Sequence, residues 1–153
     1  MMLEIITAII IFCIDLFSKT LVLKNMYLGE SLELIPNIFH LTYVQNTGVA
    51  FGVMHGKNIL VLNLLLILFP ILLFFMRNEI KHFYDSYKQF ILFRLAVGFF
   101  IAGALGNIFD RIFRGFVVDM FDFLIWPVFN VADSFICISI IIFAYFMVFR
   151  KKR

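Results

Sequence analysis

Long runs of apolar residues are the feature that most constrains this chain. A helix that crosses the hydrocarbon core of a bilayer needs roughly 20 mostly apolar residues, because the core is about 30 Å thick and a helix rises about 1.5 Å per residue. Segments at about residues 5–23, 58–76, 89–108 and 131–149 meet that length. We therefore predict an all-α membrane protein with four transmembrane helices, in a single domain that spans residues 1–153.

The composition favours lipid over water as the main surroundings. Hydrophobic residues make up 63% of the chain and charged residues 15%, whereas a soluble domain is typically about half apolar and a quarter charged. The formal net charge is only +3, and much of the positive charge lies in the tail at residues 150–153, so nucleic acid is not an expected partner. Cys13 and Cys137 lie in apolar runs and are interpreted as packing residues.

The distribution of Lys and Arg predicts the orientation, because positively charged short loops stay on the cytoplasmic side. The loop between the second and third spans carries Arg77, Lys81 and Lys88, and the C-terminal tail carries more basic residues. Both therefore face the cytoplasm, and with four spans the N-terminus does as well. The segments at residues 24–57 and 110–130 then lie on the outer side.

The outer segments have a different pattern from the spans. Over residues 30–46, apolar residues alternate with smaller or more polar ones, in the period-2 manner of a half-buried strand. Residues 115–129 are similar. We predict a small extracytoplasmic β-cradle that lies on the outer membrane face.

Ionisable and small residues in the spans form two patterns. Ionisable groups cost about 2.5 to 3.5 kcal/mol each at the centre of a spanning helix, so those that persist usually line a cavity or pair with one another. Asp15 and Lys19 are four residues apart on one helical face, and either a structural ion pair or a substrate contact explains them. Gly98, Ala102 and Gly106 form a small-residue stripe that lets either a helix or a peptide approach closely.

Asn and Asp recur three residues apart where the third span ends and where the fourth begins. Asn107 and Asp110 share one side of the third span, and Asn130 and Asp133 begin the fourth. Simpler alternatives are hydrogen bonds to a frayed helix end for the first pair and N-capping for the second, which Asn130 fits better than Asp133.

Asp119 lies in an apolar stretch, where a lone carboxylate is expensive unless it is paired or protonated. Asp133 stands across the same outer segment, so the two carboxyl groups could meet at the outer boundary of the bundle. Two carboxylates that share a site leave one base and one acid at neutral pH, because one pKa rises and the other falls. Such a pair could activate water for attack on a peptide carbonyl.

Other functional classes have less support in the sequence. It contains no Gly-x-Ser-x-Gly motif, so a serine nucleophile is not predicted. It contains no His-Glu-x-x-His motif, so we expect no metal, and no cofactor is expected. A proton or ion translocator stays open, because paired intramembrane carboxylates also act as relays, although the polar residues cluster at one end of the bundle. An intramembrane peptidase of the Gly-x-Gly-Asp type is weakened because that tetrapeptide is absent.

Five short motifs, in chain order, resemble those of the lipoprotein signal peptidases (signal peptidase II), bacterial membrane aspartic peptidases that cleave prolipoproteins. They are DLFSK at residues 15–19, NTGVAF at 46–51, GALGNIFDR at 103–111, VVD at 117–119 and FNVAD at 129–133. Each fragment alone would be weak evidence. Five in the right order on a four-span chain of this length are highly specific.

This resemblance implies that Asp119 and Asp133 are the catalytic pair. It also implies substrate-binding or supporting roles for Asp15, Lys19, Asn46, Gly48, Asn107, Asp110, Arg111 and Asn130. The implied substrate is a diacylglyceryl-modified prolipoprotein, cut just before its lipidated cysteine, and globomycin-type cyclic peptides are the implied inhibitors. The implied location is the bacterial cytoplasmic (inner) membrane, with the active site near the outer face. A monomer is expected.

Three positions depart from the family's pattern. Val49 stands where the family usually has Ala, Ala102 replaces the first Gly of a common Gly-Gly pair, and Met120 replaces Phe after the first catalytic Asp. All three are apolar or small, so they could adjust the shape of the pocket without touching the acid–base pair. We also expect the cradle around residues 43–51 to close over the substrate and exclude bulk water.

Overall fold

Helices that could span a membrane dominate the computed structural model, which describes residues 2–47 and 77–149. The elements in chain order are α1 (Met2–Asn25), β1 (Ser31–Ile35), β2 (Phe39–Asn46), α2 (Arg77–Tyr87), α3 (Ile91–Phe113), β3 (Val117–Asp122) and α4 (Val131–Phe149). Within the described part, α1, α3 and α4 are long and apolar enough to cross a membrane. The predicted second span, at residues 58–76, lies outside the described residues.

Helix α4 has the bounds of the predicted fourth span, whereas α1 and α3 are longer than predicted. Helix α3 continues to Phe113, so Asp110 and Arg111 lie in its last turns and not in an outer loop. A hydropathy profile places the end of a span at its first charged residues. Asp110 and Arg111 have partners within the protein, so the helix continues past them. It ends where the N–H of Arg114 donates to the carbonyl of Asp110 and Gly115 follows with a φ of 80°.

The small-residue stripe of α3 packs against α1. Of the two partners predicted for the stripe, a helix or a peptide, it is therefore a helix that approaches closely. A Cβ at Gly98 would lie 2.8 Å from the carbonyl oxygen of Glu4, and a Cβ at Gly106 would overlap the carboxylate of Asp15. Ala102, between them, is completely buried. Because the early residues of α1 meet the early residues of α3, the two helices run in the same direction.

Helix α4 runs in the opposite direction along the other side of α3. At its start, the carbonyl of Ala132 lies 2.5 Å from where a Cβ of Gly103 would be. At its other end, Phe146 packs on Phe93, near the beginning of α3. The beginning of α4 therefore meets the end of α3, and the end of α1 reaches the same level.

The three strands form one antiparallel sheet in the order β1-β2-β3. The strands of the predicted outer sheet thus exist, but the predicted half-buried pattern is wrong for two of them. Every residue of β1 is exposed, and the first four residues of β3 are buried on both faces. The strand β3 is buried on both faces because it lies between the strand β2 and the ends of the helices.

Packing of the sheet on the end of α1 fixes the position of β3. Val22 of α1 and Met26, directly after that helix, form one buried cluster with Tyr43 of β2 and with Val118 and Met120 of β3. This cluster brings the strand that carries Asp119 to the level at which α3 ends and α4 begins.

A buried ionic cluster lies near the start of α1, at the end of the bundle opposite Asp119. Glu4 is only 5% exposed and accepts hydrogen bonds from Nε of Arg94 at 2.8 Å, from Nη2 of Arg94 at 3.0 Å and from the hydroxyl of Tyr84 at 2.8 Å. The prediction that polar residues cluster at one end is therefore wrong. The pairing partner is 90 positions away in the chain, so no local spacing could reveal it.

The cysteines interpreted as packing residues are exposed instead. Cys13 and Cys137, the two residues so interpreted, both lie on the exposed surface of the bundle. In a spanning helix, apolar side chains face lipid as readily as the protein interior. Hydropathy alone therefore does not distinguish the two surroundings.

Candidate active site

A buried polar network occupies the level where α1 and α3 end and α4 begins, beside β2 and β3. It contains every site residue predicted from the sequence except Gly48, which lies outside the described residues. The members are Asp15 and Lys19 on α1, Asn46 on β2, Asn107, Asp110 and Arg111 on α3, Asp119 on β3, and Asn130 and Asp133 at the start of α4.

Asp119 is held between two side-chain amides. Asn130 donates from Nδ2 to Oδ1 of Asp119 at 2.6 Å, and Asn46 donates from Nδ2 to Oδ2 at 3.0 Å. Val44 pairs with Asp119 across the sheet, so Asn46, two residues further along β2, is its diagonal neighbour. The register of the two strands therefore creates the contact with Asn46.

The environment of Asp119 favours its protonated form. Its side chain is almost completely buried, at 2% exposed. Loss of solvation, followed by the negative charge of Asp133, raises the pKa of Asp119 to about 7, although the hydrogen bonds from Asn46 and Asn130 act in the opposite direction. Near neutral pH, this carboxyl group therefore exchanges readily between its two protonation states.

Asp133 accepts hydrogen bonds on both carboxylate oxygens. Nδ2 of Asn107 donates to Oδ1 at 2.7 Å, and the backbone N–H of Asn130 donates to Oδ2 at 3.4 Å. The guanidinium of Arg111 also interacts electrostatically with Asp133 and Asp119. Asp133 is thus held by two hydrogen-bond donors and lies in the field of one guanidinium.

Asn130 serves as a helix cap and also holds the carboxylate of Asp119. Its Oδ1 accepts from the backbone N–H of Asp133 at 2.9 Å, so the N-capping alternative is correct for this residue. Its Nδ2 at the same time reaches Asp119. One rigid amide therefore fixes the position of Asp119 relative to the first turn of α4.

Lys19 is a completely buried cation with three polar partners. Its Nζ lies 2.7 Å from Oδ2 of Asp15, 3.2 Å from Oδ2 of Asp110 and 3.2 Å from Oδ1 of Asn107. The predicted ion pair of Asp15 and Lys19 is thus present. A lysine can only donate, so Oδ1 of Asn107 must face Lys19 and Nδ2 must face Asp133. Lys19 therefore orients the side-chain amide of Asn107 so that its Nδ2 donates to Asp133.

Asp15 and Asp110 also hold the backbone of neighbouring elements. Oδ1 of Asp15 accepts from the N–H of Ala132 at 2.9 Å, in the first turn of α4. Oδ2 of Asp110 accepts from the N–H of Val118 at 3.0 Å, and Oδ1 pairs with Arg114. These two carboxylates tie α4 and β3 to the bundle.

Charge counting favours one shared proton in this network. The carboxylates are Asp15, Asp110, Asp119 and Asp133, and the cations are Lys19, Arg111 and Arg114. Four negative charges against three positive charges leave an excess that is expensive to bury. One proton on Asp119 or Asp133 removes the excess, in agreement with the raised pKa of Asp119.

Some contributors to this network were not predicted from the sequence. Arg114 follows Asp110 by four residues on one helical face, and that spacing could have identified it. The backbone N–H groups of Val118 and Ala132 leave no signal in the sequence. Of the departures from the family pattern, Ala102 and Met120 are buried in packing clusters and Val49 lies outside the described residues.

No metal-binding group emerges within residues 2–47 and 77–149. No set of three or more His, Cys, Asp or Glu side chains there has an arrangement that could hold a metal ion.

Comparisons with known proteins agree with the motifs. The family model described as signal peptidase (SPase) II matches residues 7–149. A lipoprotein signal peptidase of Halothermothrix orenii is 40% identical over 134 residues, which cover 88% of this chain and 87% of that protein. One of Clostridioides difficile is 35% identical over 156 residues, which cover 99% of each chain.

Solved structures resemble this fold as well. A bacterial membrane enzyme structure determined by the in meso method at 1.9 Å resolution has a TM-score of 0.77 and 28% identity, and the match covers 97% of this chain and 94% of that one. A second such structure, at 2.3 Å resolution, has a TM-score of 0.75 and 27% identity, and covers 98% and 92% of the two chains.

Proposed function

The chain belongs to the signal peptidase II family, and from this premise we propose that it is an aspartic endopeptidase that removes the signal peptide from prolipoproteins. Its apolar helices and its membrane-enzyme relatives make it a multi-pass membrane protein. The observation that carries the proposed chemistry is the position of Asn130, whose Nδ2 donates to the carboxylate of Asp119 and whose backbone N–H donates to the carboxylate of Asp133.

The two carboxyl groups have different roles in this proposal. Asp119, whose pKa is raised to about 7, carries the shared proton and is the general acid. Asp133, which accepts from Asn107 and the backbone of Asn130, is the general base. The assignment of the acid follows from the burial of Asp119, which favours its protonated form.

The reaction needs one water and the scissile peptide group. Asp133 takes a proton from the water, whose oxygen attacks the carbonyl carbon of the residue before the lipidated cysteine. Asp119 gives its proton to the developing oxyanion. The tetrahedral intermediate then collapses, the C–N bond breaks, and the amine of the cysteine takes the proton held by Asp133. During this collapse one hydroxyl of the intermediate returns its proton to Asp119. The signal peptide leaves with a new carboxyl group, and the remaining proton of that group passes to solvent.

The other residues position this pair. Lys19 and Asn107 orient Asp133, while Asn46 and Asn130 hold Asp119. Arg111 supplies positive charge beside both carboxylates. We assign to these residues, together with Gly48, the support of the substrate backbone as it lies across the pair.

The substrate is anchored in lipid, which determines where the site must open. We propose that the bilayer leaflet at this end of the bundle is the outer one and that both termini face the cytoplasm. A diacylglyceryl-modified cysteine can then approach from the side, with its acyl chains in hydrocarbon and its cleavage point beside Asp119. The segment at residues 43–51, of which 48–51 lie outside the described residues, acts in this proposal as a cradle that closes over the peptide.

The translocator alternative has less support than the peptidase. Buried charges occur at both ends of the bundle, but Ala8, Ile11 and Ala102 form an apolar cluster between them. Glu4 and Asp15 are eleven residues apart on α1, a separation of about 16 Å along a helix. This layer interrupts a polar path between the two ionic clusters within the described part of the chain.

A cleavage assay tests the proposal directly. The purified protein in detergent is given a diacylglyceryl-modified prolipoprotein, the same precursor without the lipid, and each in the presence of EDTA. We expect cleavage before the cysteine of the modified precursor alone, unchanged by EDTA and blocked by a globomycin-type peptide. Efficient cutting of the unmodified precursor would contradict the substrate assignment, and the absence of any proteolysis would contradict the function.

A further inference from the structure

The loop that connects β3 to α4 exposes large apolar side chains at its tip. Ile125 is 95% exposed, Trp126 60% and Leu124 49%. Single exposed apolar residues are common, but a contiguous group of them marks an interaction surface.

The base of the loop is closed by a bridge between two phenylalanines. The N–H of Phe121 donates to the carbonyl of Phe129 at 2.8 Å, and the N–H of Phe129 donates to the carbonyl of Phe121 at 3.1 Å. Above the bridge, the ring of Phe123 stacks on that of Phe129, with centroids 5.9 Å apart and an interplanar angle of 9°. The tip therefore projects from a well-defined base.

The same base leads directly into the proposed active site. Asp119 lies two residues before Phe121, in the same strand, and Asn130 follows Phe129 and begins the cap of α4. Asp119 and Asn130 are themselves joined by a hydrogen bond of 2.6 Å. Displacement of the loop along the membrane normal would therefore move Asp119 with it.

The surroundings of the tip identify its partner as lipid. Helix α4, one of the helices apolar enough to span a membrane, begins at Val131, five residues after Trp126, and its exposed apolar residues include Ile138 and Ile141. The tip thus lies at the end of a helix whose exposed surface suits lipid. The polar Asp122, whose Oδ1 accepts from the N–H of Leu124, lies at the base and the apolar residues lie at the tip. Tryptophan is enriched at the level of lipid headgroups.

We propose that Ile125 and Trp126 insert into the bilayer interface at this end of the bundle and form an anchor that sets the depth of Asp119. The anchor itself follows from the described loop and does not require catalysis. Its consequence for cleavage rests on the proposed function, because only a lipid-anchored substrate must meet the carboxylates at a defined height.

Fluorescence of the full-length protein tests the anchor without labelling, because Trp126 is the single tryptophan of the chain. The protein is placed in phosphatidylcholine–phosphatidylglycerol vesicles that contain lipids brominated either near the headgroup or near the acyl-chain ends. We expect blue-shifted emission, strongest quenching by bromine near the headgroup and weak quenching by aqueous iodide. Strong iodide quenching with no effect of brominated lipid would overturn the anchor.

Two controls separate lipid from protein contacts. Ile125→Glu introduces a charge at the tip and should reduce quenching by brominated lipid, whereas Ile125→Leu should match the wild type. Dilution of the protein into excess lipid should leave the spectrum unchanged. A blue shift that disappears on dilution would assign the tip to a second copy of this chain and overturn the proposal.

Cleavage in the same vesicles tests the depth-setting role. Ile125→Glu should process a lipid-modified precursor several-fold more slowly than Ile125→Leu, and the difference should disappear in detergent, where no bilayer defines a height. Equal rates in vesicles would overturn the depth-setting role. If the wild type cleaves no precursor, the proposed function fails, and the quenching experiment still decides whether the anchor exists.

Discussion

The side-chain amide of Asn130 donates to the carboxylate of Asp119 across 2.6 Å, while its oxygen caps the helix that begins beside it. A capping residue is among the best-ordered positions of a helix, because it satisfies backbone groups that otherwise have no partner. Through Asn130, that order extends to the one carboxyl group of the network whose pKa is raised to about 7.

Asp119→Asn and Asp133→Asn should each abolish cleavage. An amide can neither give up a proton as an acid nor accept one as a base, and general acid–base catalysis contributes about 10²–10⁴-fold to a rate. The measurement is single-turnover processing of a diacylglyceryl-modified prolipoprotein by protein of unchanged membrane yield and helicity. Near wild-type turnover in either variant would remove that residue from the proposed pair.

Asp110→Asn is the matched control within the same network. Asp110 is completely buried and holds Lys19, Arg114 and the N–H of Val118, so its loss should reduce stability and substrate binding. Some turnover should persist, because both members of the pair remain. A loss of activity as complete as in Asp119→Asn would indicate that Asp110 belongs to the chemistry.

Cleavage should fall as the pH rises through about 7. If Asp119 must be protonated to act as the acid, its raised pKa sets the alkaline limb of the rate profile. Asn46 donates a hydrogen bond that lowers this pKa, so Asn46→Ala should raise the pKa further and move the limb to higher pH. Asn25→Ala, which removes an exposed amide at the end of α1, is the control. A limb that stays in place in Asn46→Ala would contradict the assignment of the acid.

The same raised pKa predicts how stability depends on pH. Because the folded pKa of Asp119 is above its ordinary value of 3.8, protonation favours the folded state. The stabilisation is fully present below the unfolded pKa and is lost as the pH rises through about 7. Asp119→Asn, which cannot ionise, should therefore lose less stability than the wild type over that range, as measured by thermal unfolding in detergent.

Much of the site could be predicted from the sequence, because charged residues in apolar runs are few and their spacing restricts how they can meet. Asp15 and Lys19 pair as their separation of four predicts, and the stripe at Gly98 and Gly106 packs closely as predicted. The pairing of Glu4 with Arg94 could not be predicted, because it joins residues that are distant in the chain.

Contacts between side chains and backbone groups could not be predicted from the sequence either. The carboxylate of Asp15 accepts from the N–H of Ala132, a contact that no side-chain pattern records. The end of α3 was placed too early, because hydropathy registers the charges of Asp110 and Arg111 but not the partners that let the helix continue. The sequence thus identified the groups that carry chemistry more completely than the groups that hold them in place.

Gly106→Ala should destabilise the protein and slow cleavage. The added Cβ would overlap the carboxylate of Asp15, which is held by Lys19 and by the start of α4 and cannot move without breaking those contacts. Overpacking of this kind costs about 1–3 kcal/mol. Leu105→Ala, at an exposed neighbouring position, is the control for thermal unfolding. Equal unfolding temperatures would contradict the close approach of α1 and α3.

Lys19→Met should be the most destabilising single change in the network. The substitution leaves Asp15 and Asp110 without their shared cation in a fully buried position, and removal of one partner of a buried ion pair costs about 3–5 kcal/mol. It also frees the amide of Asn107 to rotate, so activity should fall even at temperatures where the protein remains folded. Thermal unfolding in detergent and cleavage well below the unfolding temperature measure the two effects separately.

Lys88→Met is the matched control for that change. Lys88 also pairs with an aspartate, Asp85, but the pair is exposed, with its side chains 55% and 45% accessible, and it lies at the opposite end of the bundle. Water and salt screen such a pair, so its removal should leave both unfolding and cleavage unchanged. If Lys19→Met behaved in the same way, the buried cation would have no part in orienting Asn107 toward Asp133, and the proposed support of the general base would be wrong.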